Sequence, residues 1–317
     1  MLKIIRQDEQ PYAKNVFHSI SISTFKAWYK ARLYEGGIAS DLDWLLSIIL
    51  GFSWKRITFN QEHKLQLPGS LAYLTKLWQC HCLEHVPLQH LMGICPWRDL
   101  YLKVEPGTLI PRQETELLVD LALQCLSIDK AREQVLSTDH SDVLQWADLG
   151  TGSGAIAVAL ARALPHWIGH ATDCSHQGLI QAQNNVRQLV SCSRVTRYCG
   201  YWWEPLISLS GKINLILANP PYIPSQLIET LEENVVNHEP IIALDGGKDG
   251  LNAIRILINI APKMLSPGGW IVIEHHYDQS SNVTDLMLNA GLTNIYRALD
   301  LDSNYRFAIA RKPLCQY

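Results

Sequence analysis

Val143-Leu144-Gln145-Trp146-Ala147-Asp148-Leu149-Gly150-Thr151-Gly152-Ser153-Gly154 is the stretch on which the fold turns. Its first seven residues are largely apolar and short enough for one buried strand. Three glycines at alternate positions follow, and residues 155–164 then read as a helix rich in alanine and leucine. Strand, glycine turn and helix together open a doubly wound sheet. Downstream, strand patterns at 168–172, 195–198, 213–218 and 270–274 alternate with helical stretches. That alternation predicts a parallel sheet covered on both faces. Segments 293–299 and 305–310 are strand-like, separated by Asp300-Leu301-Asp302-Ser303-Asn304. They predict a closing antiparallel hairpin on the sheet edge.

Upstream the pattern changes. Residues 1–92 read as helical. Apolar positions recur at helical spacing over 40–50, with Ser40 or Asp41 placed to cap the start and Gly51 to end the run. A second helix is expected over 71–83, after the turn signal Pro68-Gly69. Trp97-Arg98-Asp99-Leu100-Tyr101-Leu102-Lys103-Val104 alternates like a strand, and Pro106-Gly107 turns the chain. Residues 93–110 are therefore expected to form a hairpin bridging two domains, 1–92 and 111–317. Pro111 opens a helix to about residue 125, with Glu114 and Glu116 suited to its positive end. The polar stretch 127–142 has no clear period and reads as an exposed loop.

The bulk numbers exclude several classes. A chain of 317 residues with 47% hydrophobic content has ample material for buried cores. Its net charge of -3 and lack of a basic run argue against a nucleic-acid binder. The longest apolar run, 45–52, is too short to span a membrane, and the charged first eight residues do not resemble a signal peptide. A soluble cytoplasmic monomer is expected. The eight cysteines are scattered, as reduced thiols are. Cys80-His81-Cys82 with His85 and His90 lacks paired ligand spacing and lies in an expected helix, so no metal site is assigned.

The glycine turn carries chemical information. A dinucleotide site is expected to show GxGxxG, whose third glycine serves packing around a pyrophosphate. Here Gly150, Gly152 and Gly154 come at GxGxG spacing, with Thr151 and Ser153 between them and Asp148 before. That is the pattern of S-adenosylmethionine sites, whose ligand has no phosphate to cradle. Asp173, 19 residues after Gly154, falls at the end of the second strand, where a carboxylate can accept both ribose hydroxyls. Trp202, beside Trp203, follows the third strand and offers a face for adenine.

Asn219-Pro220-Pro221-Tyr222 ends the fourth strand. Ligands of open α/β sheets sit at strand carboxyl ends near the switch point, so Asn219 is expected opposite the glycine turn. An amide nitrogen is a poor nucleophile because its lone pair is delocalised. Accepting both of its N–H groups would orient it: Asn219 supplies a side-chain oxygen, and Pro220 a backbone carbonyl fixed by its ring. Pro221 keeps the turn rigid. Tyr222 offers a planar face for the amide and a ring near a sulfonium. The expected reaction is methyl transfer to a planar amide or amine nitrogen.

With these residues the chain resembles a known family. Asp148 to Gly154, Asn219 to Tyr222 and Leu109-Ile110-Pro111-Arg112-Gln113-Glu114-Thr115-Glu116 together look like the PrmC/HemK family of peptide chain release factor glutamine methyltransferases. Pro87 to Gly93 with Trp97-Arg98, Glu239-Pro240 with Ala243-Leu244, and Glu274-His275 match in the same order. The resemblance spans residues 40–317. It implies a Rossmann-like class I methyltransferase sheet and S-adenosyl-L-methionine as cofactor. Gly150, Thr151, Gly152, Ser153, Gly154, Asp173, Trp202 and Asn219 would hold that cofactor, and Asn219, Pro220, Pro221 and Tyr222 the substrate. The substrate implied is the glutamine of the GGQ motif in class I release factors, engaged by the N-terminal helical domain. A sister enzyme acting on a large-subunit ribosomal protein shares the same motifs. An adenine-amine methyltransferase shares NPPY but needs phosphate contacts. The chain departs from relatives at Tyr201, often acidic there, at His276-Tyr277, and in the length of 127–142.

Overall fold

The computed structural model describes residues 17–53, 55, 64–136, 143–191 and 194–314. The chain divides into two units, 1–93 and 94–317. In the first, strands β1 (Phe17–Ser21) and β2 (Lys64–Pro68) pair antiparallel beside helices α1 (Ile22–Arg32), α2 (Ala39–Leu50), α3 (Leu71–Glu84) and α4 (Leu88–Met92). The β1–β2 pair is an addition to the helical expectation. Lys64-Leu65-Gln66-Leu67 alternates exposed and buried, the period of a strand with one wet face. α2 ends at Gly51 as expected, in the left-handed region at φ 73°. Its start differs: Ile38 holds the cap position without a side-chain bond. Asp41 faces the His81 ring instead, 3.2 Å from Nε2. The Ser70 hydroxyl caps α3 by accepting from the Tyr73 N–H. Leu42, Leu45, Leu46, Leu74, Leu77 and Trp78 make the interior of this unit.

The second unit begins with a hairpin, β3 (Ile94–Trp97) and β4 (Leu100–Lys103), whose Trp97, Leu100 and Leu102 pack into this unit's own core. α5 follows as Thr115–Leu136. Two expectations change here. The helix starts at Thr115 rather than Pro111, because the carbonyls of Pro111 and Arg112 accept from Cys95 Sγ and Trp97 Nε1 instead of continuing a helical ladder. The helix also runs through most of the expected loop; residues 137–142 of that loop lie outside the described residues. Asp129 explains the misreading. Its carboxylate accepts from Trp270 Nε1 at 2.7 Å and pairs with Arg311 at 3.1 Å, so tertiary contacts hold a segment that looks solvent-facing.

The main sheet then builds in order. β5 (Gln145–Leu149), α6 (Ala155–Ala163), β6 (Ile168–Asp173), α7 (His176–Leu189) and β7 (Val195–Cys199) wind one way. β8 (Ile213–Ala218), α8 (Glu233–Val236), α9 (Asn252–Met264) and β9 (Leu265–Glu274) wind the other. α10 (Ser280–Asn289), β10 (Thr293–Leu299) and β11 (Tyr305–Arg311) close the edge. The strand order is β10-β11-β9-β8-β5-β6-β7. β5 to β9 are parallel, and β11 runs antiparallel to both neighbours. This is the expected α/β class I sheet with its C-terminal hairpin. Both faces are covered. Trp146 and Leu217 point into a core with α5 and α6, while Ala147, Leu149 and Ile216 point into another with α9 and α10. Truncating a fully buried leucine of either layer to alanine costs about 2–5 kcal/mol. The winding reverses between β5 and β8, where Leu149 pairs with Ala218. No described helix is long and apolar enough to cross a membrane.

Candidate active site

The reversal point opens a cavity of about 420 Å³, in the range of small-molecule sites. Gly150, Thr151, Gly152 and Ser153 line it from the β5–α6 turn, Asp173 from the end of β6, and Trp202 from beyond β7. Asn219 and Pro221 line it from the end of β8. Seven of the eight residues predicted to hold the cofactor thus face one cavity. Gly154 does not. It starts α6 at φ 84°, and a Cβ there would stand 2.8 Å from Ala182 Cα of α7. Its absent side chain lets α6 and α7 pack closely. Pro220, buried, and Tyr222, half-buried, are not among the lining residues.

The turn is held from behind. Asp173 accepts the Gly152 N–H at 2.7 Å and the Ser175 N–H at 2.8 Å, tying the end of β6 to the glycine turn. Each oxygen keeps lone-pair capacity for a hydroxyl donor. Burial raises its pKa against the pull of these N–H bonds. Asp148 is fully buried and accepts from Thr151 Oγ1 at 2.6 Å, while its Oδ1 has no protein partner. Desolvation pushes its pKa up to about 7. Gly150 sits at φ 79°, and a Cβ on it would lie 3.1 Å from the Trp202 ring. Trp202 itself sits at φ 50°, a conformation uncommon for a bulky residue. Trp203 is the core tryptophan of the pair, only 2% exposed.

A wall that sequence reasoning left without a role closes the other side. Gly107, Thr108, Leu109, Pro111, Arg112 and Thr115 all line the cavity. Two buried amides on α7 anchor the start of this segment. Asn185 exchanges bonds with the Lys103 backbone and donates to the Ser153 carbonyl, while Gln181 bonds the backbone of Lys103 and Glu105. Buried Glu239 anchors its middle, accepting from the Ile110 N–H and pairing with Arg112 at 2.7 Å. Thr115 anchors its end. Its hydroxyl donates to Glu274 Oε2 at 2.7 Å and accepts from Asn219 Nδ2 at 2.9 Å. Tyr222 donates to the other Glu274 oxygen at 3.2 Å. Burial pushes Glu274 up to about 7, against the opposing pull of Thr115, Arg306 and Tyr222, and raises the Tyr222 hydroxyl. Gln279 holds the Tyr222 carbonyl through Nε2 at 2.9 Å. For Leu109 to Thr115, Glu239 and Glu274 the only advance signal was that they fall in segments 109–116, 239–244 and 274–275, which carry the family resemblance; Gln181, Asn185 and Gln279 gave none.

Residues 126–297 match the family model described as Methyltransferase small domain. Curated relatives named release factor glutamine methyltransferase align along nearly the whole chain. The protein from Prochlorococcus marinus is 45% identical, covering 90% of this chain and 95% of its own. That from Thermosynechococcus vestitus is 41% identical, covering 88% and 92%. That from Synechocystis is 36% identical, covering 92% and 97%. Among solved structures, the hMettl16 catalytic domain in complex with MAT2A 3'UTR hairpin 6 superposes with a TM-score of 0.51 at 14% identity, covering 68% of this chain and 76% of that one. At that identity the likeness concerns the fold.

Proposed function

This chain belongs to the release factor glutamine methyltransferase family, and on that premise we propose that it methylates the side-chain amide nitrogen of the GGQ glutamine in class I release factors. The cofactor, S-adenosyl-L-methionine, supplies an electrophilic methyl group on a sulfonium. The cavity fits it: glycine backbone on one side, a carboxylate at the end of β6, and an indole against Gly150. In this reading Gly150 to Ser153 approach the ligand with backbone, Asp173 accepts ribose hydroxyls, and Trp202 covers the adenine. The unpartnered Asp148 Oδ1 is an acceptor at the base of that turn.

At the other end, Asn219 Oδ1 accepts one N–H of the substrate amide and the Pro220 carbonyl the other. Pro221 and Tyr222 bound the slot in which the planar amide lies. The protein's contribution is orientation, which alone can supply several kcal/mol of the barrier. No strong base is needed before transfer; the proton on the methylated nitrogen is lost to water afterwards. The observation that carries the reading is the placement of Asn219 beside the glycine turn, across paired Leu149 and Ala218. Residues 1–92 are proposed to recognise the release factor, acting with a cytoplasmic, monomeric catalytic unit of residues 111–317 and the hairpin segment 93–110.

The test is direct. Purified protein with methyl-labelled cofactor is expected to label a release factor at its GGQ glutamine, located by mass spectrometry. Label on a ribosomal protein or on nucleic acid, with none on release factor, overturns the substrate assignment.

A further inference from the structure

The side chain of Asn219 has two ends of opposite hydrogen-bonding sense, and only the oxygen end suits an amide N–H. Nothing within Asn-Pro-Pro-Tyr chooses between them. The choice is made two contacts away. Thr115 has one hydroxyl hydrogen, and with Glu274 ionised, as it is above about pH 7, that hydrogen goes to Glu274 Oε2 at 2.7 Å. Its oxygen is therefore an acceptor toward Asn219, whose Nδ2 lies 2.9 Å away. Glu274 is 1% exposed, so its oxygens are shielded from bulk solvent. Its Oε1 takes the Tyr222 hydroxyl at 3.2 Å.

We propose that Thr115 and Glu274 are positioning residues for methyl transfer, fixing the Asn219 amide so that Oδ1 faces the substrate nitrogen and seating the Tyr222 ring at the same time. The inference rests on Asn219 being the acceptor for the substrate amide. One buried carboxylate thus sets both side chains of the motif that have a choice of orientation. With the hydroxyl removed, the Asn219 amide can turn over and present an NH2 group to the substrate's N–H, donor against donor. The side chain then occupies two orientations, of which one is productive.

The chemistry separates this role from general support. Val at 115 keeps the shape of threonine and removes both bonds, whereas Ser keeps both bonds and removes a methyl. Thr115→Val is expected to lower kcat about ten- to hundredfold, the scale of losing a hydrogen bond to a charged group. Its affinity for S-adenosylhomocysteine, measured by calorimetry, is expected to stay within about threefold, since Asp173 and the glycine turn are untouched. Thr115→Ser is expected to recover most of the lost kcat. Glu274→Gln offers a donor as well as an acceptor to Thr115, so it unsettles the same order and is expected to lower kcat about tenfold or more with cofactor still bound.

All four proteins are assayed as full chains at about pH 8, where Glu274 is ionised, on whichever protein substrate the wild type labels. A wild type that labels ribosomal protein instead of release factor overturns the substrate assignment, yet the variant ratios still read the relay. Thr115→Val within about twofold of wild-type kcat overturns the relay, as does Thr115→Ser as slow as Thr115→Val. If Thr115→Val fails to fold, Glu274→Gln decides: kcat near wild type overturns the proposal, and slow turnover with intact cofactor binding supports it.

Discussion

The two ends of the cavity are built by different means. The wall proposed to hold the cofactor is mainly backbone, with Gly150 to Ser153 shaped by glycine and fastened by Asp173 from the adjacent strand. The end proposed to hold the substrate amide has one backbone acceptor, the Pro220 carbonyl, and otherwise rests on a chain of side chains, with Asn219, Thr115, Glu274 and Tyr222 each bonded to the next. Backbone walls follow from local sequence. Side-chain relays follow from tertiary structure. The first kind tolerates change in what surrounds it, whereas the second depends on every member.

That contrast can be broken by experiment. The largest expected effect is at the amide end: Asn219→Ala lowers kcat about 10²–10³-fold, the scale of losing a preorganised polar contact to the reacting group. Cofactor affinity, measured by titration with S-adenosylhomocysteine, falls by a much smaller factor, because Asn219 is one of several residues on that cavity. Equal losses in both would dissolve the distinction between the two ends. A smaller and opposite pattern is expected at the cofactor wall. Gly150→Ala forces a Cβ to within 3.1 Å of the Trp202 ring, at a φ of 79° that alanine disfavours. Its cofactor affinity is expected to drop about tenfold, while kcat at saturating cofactor changes little. Wild-type affinity in a folded Gly150→Ala protein would remove Trp202 from the adenine face.

The smallest effect concerns stability. Glu274 has a folded pKa raised from 4.5 to about 7 by burial. The folded chain therefore binds a proton that the unfolded chain has already released. Stability from this group is full below the unfolded pKa and is lost as pH rises through about 7. Between about pH 6 and about pH 8 the loss is roughly 1 kcal/mol, or about 2–4 °C in Tm. Asp148, also raised to about 7, adds in the same direction. Thermal denaturation of Glu274→Gln is expected to show a shallower fall over that window than wild type. An identical slope would mean that Glu274 stays ionised throughout.

Much of this molecule was legible in its sequence, for identifiable reasons. The central parallel strands could be read as short apolar runs, and the more polar β7 and β10 from their β-branched and aromatic residues between turn signals. β8 lies at its expected position, Ile213–Ala218, because β-branched and leucine residues there are buried on both faces. Asn219 and the glycine turn follow from that placement. Thr115 was quoted as part of a family segment but given no task, since its partners lie 104 and 159 residues away. No local period announces such a meeting. Asp129 illustrates the opposite error, a polar residue read as solvent-facing because Trp270 and Arg311 are remote in sequence. Gly154, expected to hold the cofactor, is not among the lining residues, and the space a Cβ on it would take belongs to Ala182.

The span of the Thr115–Glu274 contact also has a consequence for how the protein comes into being. Asp173 closes the glycine turn with partners 21 and 2 residues away, so that fastening is present in the chain by the time α7 is made. Glu274 is synthesised 101 residues after Asp173 (274 less 173). At ordinary elongation rates of about 5–20 residues per second, that is an interval of about 5–20 seconds. Through that interval the nascent chain carries Asn219, for part of the time, with no carboxylate to order it. The carboxylate proposed to orient the acceptor side chain thus enters the chain 101 residues after the one that fastens the glycine turn, so the two ends of the cavity are completed at different stages of synthesis.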